Sequence, residues 1–400
     1  MPDPAVWSIE ASGVDEVVET YGYLTDVLDG YNQREQRVKL RAVPVEALEF
    51  SVLCEDARRS GLAESLLYGL QDDVLVLPLW QYGSRLTGDV NPGASTLPIA
   101  DALDVPYRAG GYAVVWRDPF TFELFSVNST SGAGVLASDL AVGTWPAYSA
   151  SVYPARLARV ASRVSVRRES STVLVGRPVF EMETAEPTVA VAETLPLYRG
   201  VPVLSTVEPD RGDGALDDVE RRVFLLDSAT GVHAASAAAD APQTVRAFSW
   251  LCFSRAEVKE LRQFIDARRG RGGAFWVLSW ERDFDLVADQ GANSSTLTVL
   301  GRDFSSRVFP TGQGRRHLGI RAPGGSFYYR HVDGAVDNLN GTETLQLDAA
   351  VPDALPAAGT FLASLRYSRL DADELRIEWT TGQFATCVLP IRDLPAETPA

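Results

Sequence analysis

Asp283 and Asp285, in the second half of the chain, are of a residue type that can perform acid–base chemistry. Two convergent carboxylates can protonate a leaving group and activate water, as glycoside hydrolases do. Asp283 and Asp285 alternate with Phe284 in an extended pattern, so both side chains point to one face. This pattern is typical of a solvent-facing pair on a strand, and we treat catalysis as the minor interpretation.

Two other motifs also have a simpler structural interpretation. The string DADE (371–374) has acidic spacing reminiscent of a calcium loop, but it lacks the glycine and distal glutamate of an EF-hand, which favours a turn. The string RGRGG (269–273) has the composition of a phosphate-binding loop. It follows a predicted helix, whereas a P-loop precedes one, so we interpret it as a helix C-terminus with Gly270 just after the helix.

The cysteines and histidines are few and scattered: Cys54, Cys252, Cys387, His233, His317 and His331. None has metal-ligand or redox spacing, so the sequence predicts neither a metal site, a cofactor nor a disulfide framework. Cys252 is in phase with Phe248 and Trp250 along an alternating segment. We expect it to pack as a small hydrophobic residue.

Composition indicates a globular protein, with 46% hydrophobic and 22% charged residues in 400. The net charge of −16 argues against a general nucleic-acid-binding protein, which needs a basic surface. The first residues lack the basic flank and apolar stretch of a signal peptide, and no apolar window is long enough to span a bilayer. We therefore expect synthesis in a cytosol and no membrane insertion.

An internal repeat organises the rest of the chain. ALEFSVLCEDARRSGLAESLLYGLQDDVLVLPLWQYGSRL (47–86) and RAFSWLCFSRAEVKELRQFIDARRGRGGAFWVLSWERDFDL (246–286) share one order of elements. Each has an alternating run, a charged helix, an apolar strand and a tryptophan. Self-similarity at such a long period indicates a duplicated module.

The predicted elements define the fold class. Strands are expected at 47–53, 74–80, 247–253 and 275–280, and helices at 55–70 and 254–269, the latter with Ser254 as N-cap. Dense strand and turn signals elsewhere predict a mainly β protein with a few helices. It comprises two tandem homologous β-sandwich or barrel modules, each with one packed amphipathic helix.

The predicted organisation has three segments. Residues 1–168 form the first module, 169–245 the linking region and the N-terminal strands of the second module, and 246–400 the second module core. The small-residue run HAASAAADAP (233–242) is interpreted as a connector. The C-terminal PAETPA is expected to be frayed.

Tryptophans surround the repeated helix–strand unit, namely Trp80, Trp250, Trp276 and Trp280. We expect them to fill the cores of the modules. A sugar-stacking surface would instead require them to be exposed on one face.

The string REQRVKLR (34–41) mixes charges on an extended segment. A solvated strand is one interpretation. We favour specific ion pairs of Arg34, Glu35 and Arg37 at a domain or subunit contact, because forked guanidiniums suit interfaces. The residues expected at assembly contacts are therefore Arg34, Glu35, Arg37 and Arg41, with Arg269 and Arg271 as second choices.

Two segments carry a family resemblance. The pattern Trp7…TDVLDGYNQREQRVKLR…P (25–44), then a helix and VLPLW (76–80), resembles tail proteins of long-tailed bacteriophages and phage-like gene transfer agents. Residues 247–286 resemble the distal-tail family of these particles. The matching positions are Trp250, Arg269, Gly270, Arg271, Phe275, Trp276 and Asp283. The chain has FWVLS where the family commonly has a proline, and the first copy lacks the Phe-Trp pair.

The resemblance implies a structural virion protein with no enzymatic activity. Such proteins form a ring at the tail tip, which joins the tail tube to the baseplate hub and fibres. The implied partners are the chain itself, the tail tube protein, the hub protein and tail fibres, with DNA only passing through the lumen. The implied location is the virion tail tip, after assembly in the bacterial cytoplasm.

The duplication suggests a stoichiometry for that ring. Three chains with two modules each would form a pseudo-hexamer that matches a six-fold tube to a three-fold hub, and we favour this homotrimer over a hexamer. Two rival functions stay open at this stage. One is a tail-borne receptor- or carbohydrate-binding protein, and the other is a tail-associated cell-wall hydrolase that would use Asp283 or Asp285.

Overall fold

A computed structural model of the chain describes residues 4–70, 73–183, 195–205, 208–210, 212, 217–227, 229, 231, 233–237, 239 and 241–399. Strands hold 47% and helices 13% of the residues that the structure describes, so the predicted mainly β class is confirmed. Nearly all described strand pairs are antiparallel, whereas the strands Val201–Leu204 and Ala274–Leu278 pair in parallel. We call the described residues up to 183 the first half and those from 195 the second half.

The described strands of the first half are β1 (Val17–Gly22), β2 (Thr25–Asp29), β3 (Glu35–Lys39), β4 (Val45–Glu49), β5 (Val52–Cys54), β6 (Leu75–Pro78), β7 (Ser84–Arg85), β8 (Thr96–Leu97), β9 (Tyr112–Asp118), β10 (Thr121–Ser131), β11 (Gly134–Ala137), β12 (Ser151–Val160), β13 (Val166–Arg168), β14 (Leu174–Gly176) and β15 (Val179–Met182). Helix α1 (Ala57–Leu70) lies between β5 and β6, and a 3-10 turn spans Trp80–Tyr82.

The described strands of the second half are β16 (Leu197–Tyr198), β17 (Val201–Leu204), β18 (Asp217–Glu220), β19 (Val223–Asp227), β20 (His233–Ala237), β21 (Gln243–Cys252), β22 (Ala274–Leu278), β23 (Ser294–Leu300), β24 (His317–Arg321), β25 (Phe327–Asp337), β26 (Thr342–Val351), β27 (Phe361–Leu370), β28 (Glu374–Trp379) and β29 (Ala385–Asp393). Helix α2 (Arg255–Arg268) lies between β21 and β22. Short helical turns occur at Gly270–Gly272, Phe304–Val308, Phe309–Thr311, Gln313–Arg315 and Pro395–Glu397.

Both helices begin at a side-chain cap. The Ser254 hydroxyl accepts a hydrogen bond from the Glu257 amide at 3.3 Å, and the Glu257 carboxylate accepts one from the Phe253 amide at 2.8 Å. This reciprocal pair is a capping box and confirms the predicted N-cap. In α1, the Asp56 carboxylate accepts from the amides of Arg58 and Arg59 at 2.8 and 2.9 Å.

The end of α2 differs in one detail from the expectation. Arg269 adopts the left-handed conformation directly after the helix (φ 55°), and Gly270 follows with φ 64°. The sequence predicted a helix through Arg269 with Gly270 just after it, where glycine is favoured because a side chain is sterically strained in this conformation. The Arg269 amide donates to the Ile265 carbonyl at 3.0 Å, which satisfies one of the last carbonyls of the helix.

The strand pairings of the two halves follow the same order. In the first half β12 pairs with β6, β9 and β15. From β9 the sheet continues through β10 and β11 to β8. On the other side, β4 lies between β15 and β1. In the second half β27 pairs with β22, β24 and β29. From β24 the sheet continues through β25 and β26 to β23. On the other side, β21 lies between β29 and β18. Positions in one half therefore have counterparts in the other, about 200 residues apart.

The two halves are joined by pairing and by packing. β1 pairs with β28, where Val17 lies opposite Trp379. One large hydrophobic core runs through both halves, and a smaller core lies within the second half around Leu297, Ile320 and Leu345. The strand order recurs, but the halves share a core and do not form independent domains.

The pairing shifts the boundary expected at residue 168. β14 and β15 pair with β5 and β4, so these strands complete the first half although the sequence placed them in the linking region. β17 and β18 pair with β22 and β21, as N-terminal strands of the second half would. Residues 184–194 of the expected linking region lie outside the described residues.

Three local expectations were wrong. The run interpreted as a connector contains β20, which pairs with β19, while its residues 238 and 240 lie outside the described part. The strand expected at 47–53 is two strands, because β4 and β5 join different partners on either side of Phe50 and Ser51. The C-terminal segment is held in place by Glu397, which contacts the β2–β3 hairpin.

Candidate assembly surfaces

The charged segment singled out in the sequence lies on the β2–β3 hairpin, against the C-terminal strands of the second half. The Glu35 carboxylate accepts two hydrogen bonds from Arg369, 2.6 Å from Nε and 2.7 Å from Nη2. Arg37 donates to Glu35 at 3.2 Å and to Glu397 at 2.7 Å, and Arg34 Nε donates to the Ala396 carbonyl at 3.0 Å. Arg34, Glu35 and Arg37 thus bind across the junction of the halves, within one chain.

The Glu35 site is strongly polar although it is buried, with only 2% of the Glu35 side chain and 5% of the Arg369 side chain exposed. Burial raises the pKa of Glu35, but Arg369 and Arg37 outweigh it and hold that pKa below its ordinary value. Arg369 also donates to Asp371 at 2.6 Å, and Arg392 Nε donates to the same carboxylate at 2.9 Å. The partner residues Arg369 and Glu397 were not predicted, because nothing in the local sequence marks them.

The remaining predicted contacts also lie within the chain. The Arg271 amide and guanidinium donate to Asp373 at 2.9 and 3.1 Å, and Nη2 donates to the Thr25 carbonyl at 3.0 Å. Asp373 belongs to the DADE string, which forms a bend that ties β2 to the end of α2. Arg41 Nη1 donates to the Gly22 carbonyl at 2.9 Å.

Arg269 lies at the same junction. Burial, followed by the charges of Arg269 and Arg268, lowers the pKa of Lys39 on β3. A role for any of these six residues in contacts between chains stays a prediction.

The tryptophans occupy the interior. Trp80, Trp250, Trp276 and Trp280 are 8%, 1%, 0% and 2% exposed, and the other four tryptophans are buried or half-buried. Trp276 Nε1 donates to the Tyr198 carbonyl at 3.0 Å. None of the eight indoles presents the open face that sugar stacking would need.

Helix α2 lies against the first half, which the sequence did not anticipate. Arg255 donates to the Gly83 carbonyl at 2.8 Å and to the Ser84 hydroxyl at 3.0 Å, and it pairs with Asp101. Lys259 Nζ donates to the Leu103 carbonyl at 2.8 Å. We call the surface beneath α2, made by Glu46, Tyr82, Gly83, Ser84, Leu103 and Arg156, the covered face.

Arg262 is the central α2 residue on the covered face. Its Nη1 donates to Tyr82 Oη at 3.3 Å, and its guanidinium lies 5.0 Å from the centre of the Tyr21 ring. Burial lowers the pKa of Arg262, but Tyr21, Tyr82, Glu19 and Glu46 raise it overall. The helix therefore brings a cation to a cluster of tyrosines and carboxylates.

This polar cluster is closed. Tyr21 Oη donates to Glu19 at 2.7 Å, and burial raises the pKa of Glu46. Burial and the charge of Arg108 lower the pKa of Arg156 to about 9. The cavity that Glu46, Arg156 and Arg262 share is about 20 Å³, which holds about one water molecule and no substrate.

The second half has an exposed counterpart of this surface. A groove of about 490 Å³ there is lined by Thr244, Asp283, Phe284, Arg302, Arg315 and Arg366, which we call the open face. Arg315 pairs with Asp393 at 2.6 Å, and Arg302 with Asp285 at 2.9 Å. The Nε atom of Arg366 is buried and has no hydrogen-bond partner among the described residues.

The carboxylates considered for catalysis are engaged in contacts at this groove. Asp283 accepts from the Ser279 hydroxyl at 2.5 Å and from the Ser364 amide at 2.7 Å, so it connects the chain after β22 to β27. Asp285 pairs with Arg282 at 2.7 Å. The two carboxylates are half-buried, not fully solvated as expected.

Two of the scattered histidines meet in the fold. His317 on β24 lies opposite His331 on β25, with ring centres 4.9 Å apart. His317 Nδ1 lies 3.0 Å from Tyr198 Oη. Burial, followed by the charges of His331 and Arg199, lowers the pKa of His317 to about 3, so this ring is neutral at ordinary pH. Only the strand register reveals this pair.

The β19–β20 hairpin forms a separate two-stranded sheet and exposes several apolar side chains. Leu225 and Leu226 are 72% and 66% exposed. Phe224 stacks on Tyr31 of the β2–β3 hairpin, with ring centres 4.7 Å apart. The corresponding hairpins of the two halves therefore touch.

No protein-family model matches the chain, and a search of curated proteins gives no significant match. In the described part of the chain, no helix has the length and apolar character needed to cross a membrane. The described residues also contain no group of three or more histidine, cysteine, aspartate or glutamate side chains placed to bind a metal ion. The family suggested by residues 25–44 and 247–286 stays a prediction.

Proposed function

We propose that the chain is a structural virion protein of the tail tip of a long-tailed bacteriophage or a phage-like gene transfer agent. In this role it forms a ring that joins the tail tube to the baseplate hub and fibres. The resemblance of residues 25–44 and 247–286 supplies the class of particle. The observation that carries the structural role is that the strand pairing of the first half recurs in the second half, so that, for example, β4 pairs with β15 as β21 pairs with β29.

Two similar units in one chain suit a symmetric ring. The units are fixed to each other by the Glu35–Arg369 and Arg271–Asp373 pairs, so one chain would supply two rigidly linked segments. Three chains would then form a pseudo-hexameric ring, with one face for a six-fold tube and another for a three-fold hub. The residues that differ between the halves would provide the three-fold contacts.

The proposal is tested on particles and on the purified chain. Gold-labelled antibodies against the chain should mark the tail end distal to the capsid, and deletion of its gene should leave tails without a hub. Labelling of capsids, or intact tails in the deletion strain, would refute the proposed location. Native mass spectrometry should give a trimer, and a hexamer of chains would overturn the trimeric version.

The rival functions make separate predictions. A carbohydrate-binding role requires exposed aromatic residues in a groove, whereas Trp80, Trp276 and Trp280 are buried. Glycan-array binding would support that role. A hydrolase would lose lysis on substitution of Asp283 or Asp285 by alanine while still assembling. No contact among the described residues favours either rival.

A further inference from the structure

The covered face and the open face occupy equivalent positions in the two halves. Ser84 on the covered face lies opposite Val152 on β12, and Phe284 on the open face lies opposite Leu362 on β27. β12 lies between β6 and β9, and β27 lies between their counterparts in the second half, β22 and β24. The Ser84 position thus corresponds to the Phe284 position.

A second pair of positions gives the same correspondence. Arg156 on β12 lies opposite Leu77 on β6, and Arg366 on β27 lies opposite Val277 on β22. Arg156 lines the closed cavity beneath α2, whereas Arg366 lines the groove of about 490 Å³. The groove is therefore located where α2 lies in the first half, and no described helix of the same chain fills it.

Helix α1 has the properties of the missing occupant. It has 14 residues, as α2 has, and both helices begin three positions after a buried cysteine, Cys54 or Cys252. Each α1 residue therefore corresponds to the α2 residue 198 positions later (255 minus 57). We propose that α1 of a second copy of this chain docks into the open face, as α2 docks onto the covered face within the chain.

The outward side of α1 is suited to close approach. Ala57 and Gly61 correspond to Arg255 and Lys259, the α2 residues that reach the covered face. A side-chain carbon added at Gly61 would meet nothing within 4 Å, so space beyond this position is open. About two turns further on, Tyr68 is 86% exposed, which makes it a large ring available for burial.

The charges of the helices and faces reverse together. Arg262 on α2 contacts Tyr82 on the covered face, and their counterparts are Glu64 on α1 and Arg282 beside the open face. In the first half the cation Arg262 lies beside carboxylates and tyrosines. At the open face the corresponding helix residue would be the carboxylate of Glu64, and the groove there is rich in arginine. In the isolated chain, Glu64 is half-buried and pairs with Arg168, and Arg282 pairs with Asp285. The complementarity favours α1 over an unrelated partner.

This contact is heterologous, because one copy contributes α1 and its neighbour contributes the open face. Such contacts generate rings when the rotation closes. The inference deepens the proposed ring and depends on the proposed function only for the expectation that the ring closes at three chains. The head-to-tail contact itself would be the same in any other assembly.

A bulky side chain at Gly61 tests the contact without disturbing the isolated chain. We expect Gly61→Trp to convert the wild-type oligomer to a monomer in sedimentation velocity and native mass spectrometry, with an unchanged unfolding midpoint. Gly132→Trp is the matched control, because Gly132 is also in open space but lies in the turn between β10 and β11. It should assemble as the wild type does. An oligomer of Gly61→Trp as tight as the wild type, or a wild-type chain that stays monomeric at its highest soluble concentration, overturns the inference.

A charge exchange tests the register of the docked helix. Glu64→Arg and Arg282→Glu should each weaken association by about tenfold or more, and the double variant should recover most of the loss. Each variant is first checked for a wild-type unfolding midpoint. Failure of the double variant to recover would refute the pairing of these positions. If the chain labels tail tips but its oligomer survives Gly61→Trp, the contact alone is refuted. If Gly61→Trp disrupts the oligomer but the wild-type chain is absent from tails, the proposed function alone is refuted.

Discussion

The Glu35 carboxylate and the Arg369 guanidinium, 334 residues apart in sequence, form two hydrogen bonds of 2.6 and 2.7 Å that join the first half to the second. Replacement of Arg369 removes both hydrogen bonds and leaves the buried Glu35 carboxylate with Arg37 as its remaining cation, 3.2 Å away, which is costly in a poorly solvated site. We expect Arg369→Met to lower the free energy of unfolding by about 2 to 4 kcal/mol, measured by urea titration.

The control for this pair is Arg376→Met. Arg376 pairs with Glu374 at 2.8 Å, but both side chains are about 60% exposed. An exposed pair contributes less than about 1 kcal/mol. Equal losses in the two variants would show that burial is not what makes the Glu35–Arg369 pair important.

Arg262 is expected to fix α2 to the first half. Arg262→Met would remove the cation that lies against Tyr21 and Tyr82 and acts most strongly on Glu46, so we expect a loss of about 3 kcal/mol in unfolding free energy. Lys259→Met on the same helix removes only an exposed hydrogen bond to the Leu103 carbonyl and should cost less than about 1 kcal/mol. A loss at Lys259 as large as that at Arg262 would contradict this account.

Gly270 combines a left-handed backbone with a crowded site. Its φ is 64°, and an added side-chain carbon would lie 2.9 Å from Tyr23 Cβ and also collide with the Asp373 carboxylate. Gly341 has φ 81° with nothing within 4 Å. We expect Gly341→Ala to cost about 1 to 2 kcal/mol from backbone strain alone.

Gly270→Ala should cost more than Gly341→Ala, by about 1 to 3 kcal/mol, because it also displaces the carboxylate that holds Arg271 and Thr25. Thermal unfolding of the two variants measures the difference. Identical melting temperatures would mean that the Asp373 contact moves aside at no cost.

His317 predicts a pH dependence of stability. Its pKa in the folded chain is about 3, against an ordinary value of 6.5, so below pH 6.5 the unfolded chain binds the proton more readily. Stability from this residue is complete above pH 6.5 and falls by about 1.4 kcal/mol per pH unit between pH 6 and pH 4. Replacement by glutamine should remove that slope in urea titrations at several pH values.

His233 is the control for the histidine experiment, because its side chain is 60% exposed. His233→Gln should keep the wild-type slope. A wild-type slope in His317→Gln would assign the pH dependence to other groups.

The sequence by itself determined the local elements. Alternation placed Phe248, Trp250 and Cys252 in the core, where they are 7%, 1% and 4% exposed. Ser254 and Glu257 lie three positions apart in sequence, so their capping box depends on local backbone geometry alone. The mainly β class and the two helices follow from the same short-range periodicities.

The tertiary structure decided which distant positions meet. The pairing of β24 with β25 brings His317 to His331, and the fold of the C-terminal strands brings Arg369 to Glu35. The apolar stripe of helix α2 predicts that one side of the helix is buried. The spacing of residues along the helix does not predict that its charged side packs on the first half. Such contacts depend on strand register and on packing between elements far apart in the chain, and side-chain spacing along one element carries no information about either.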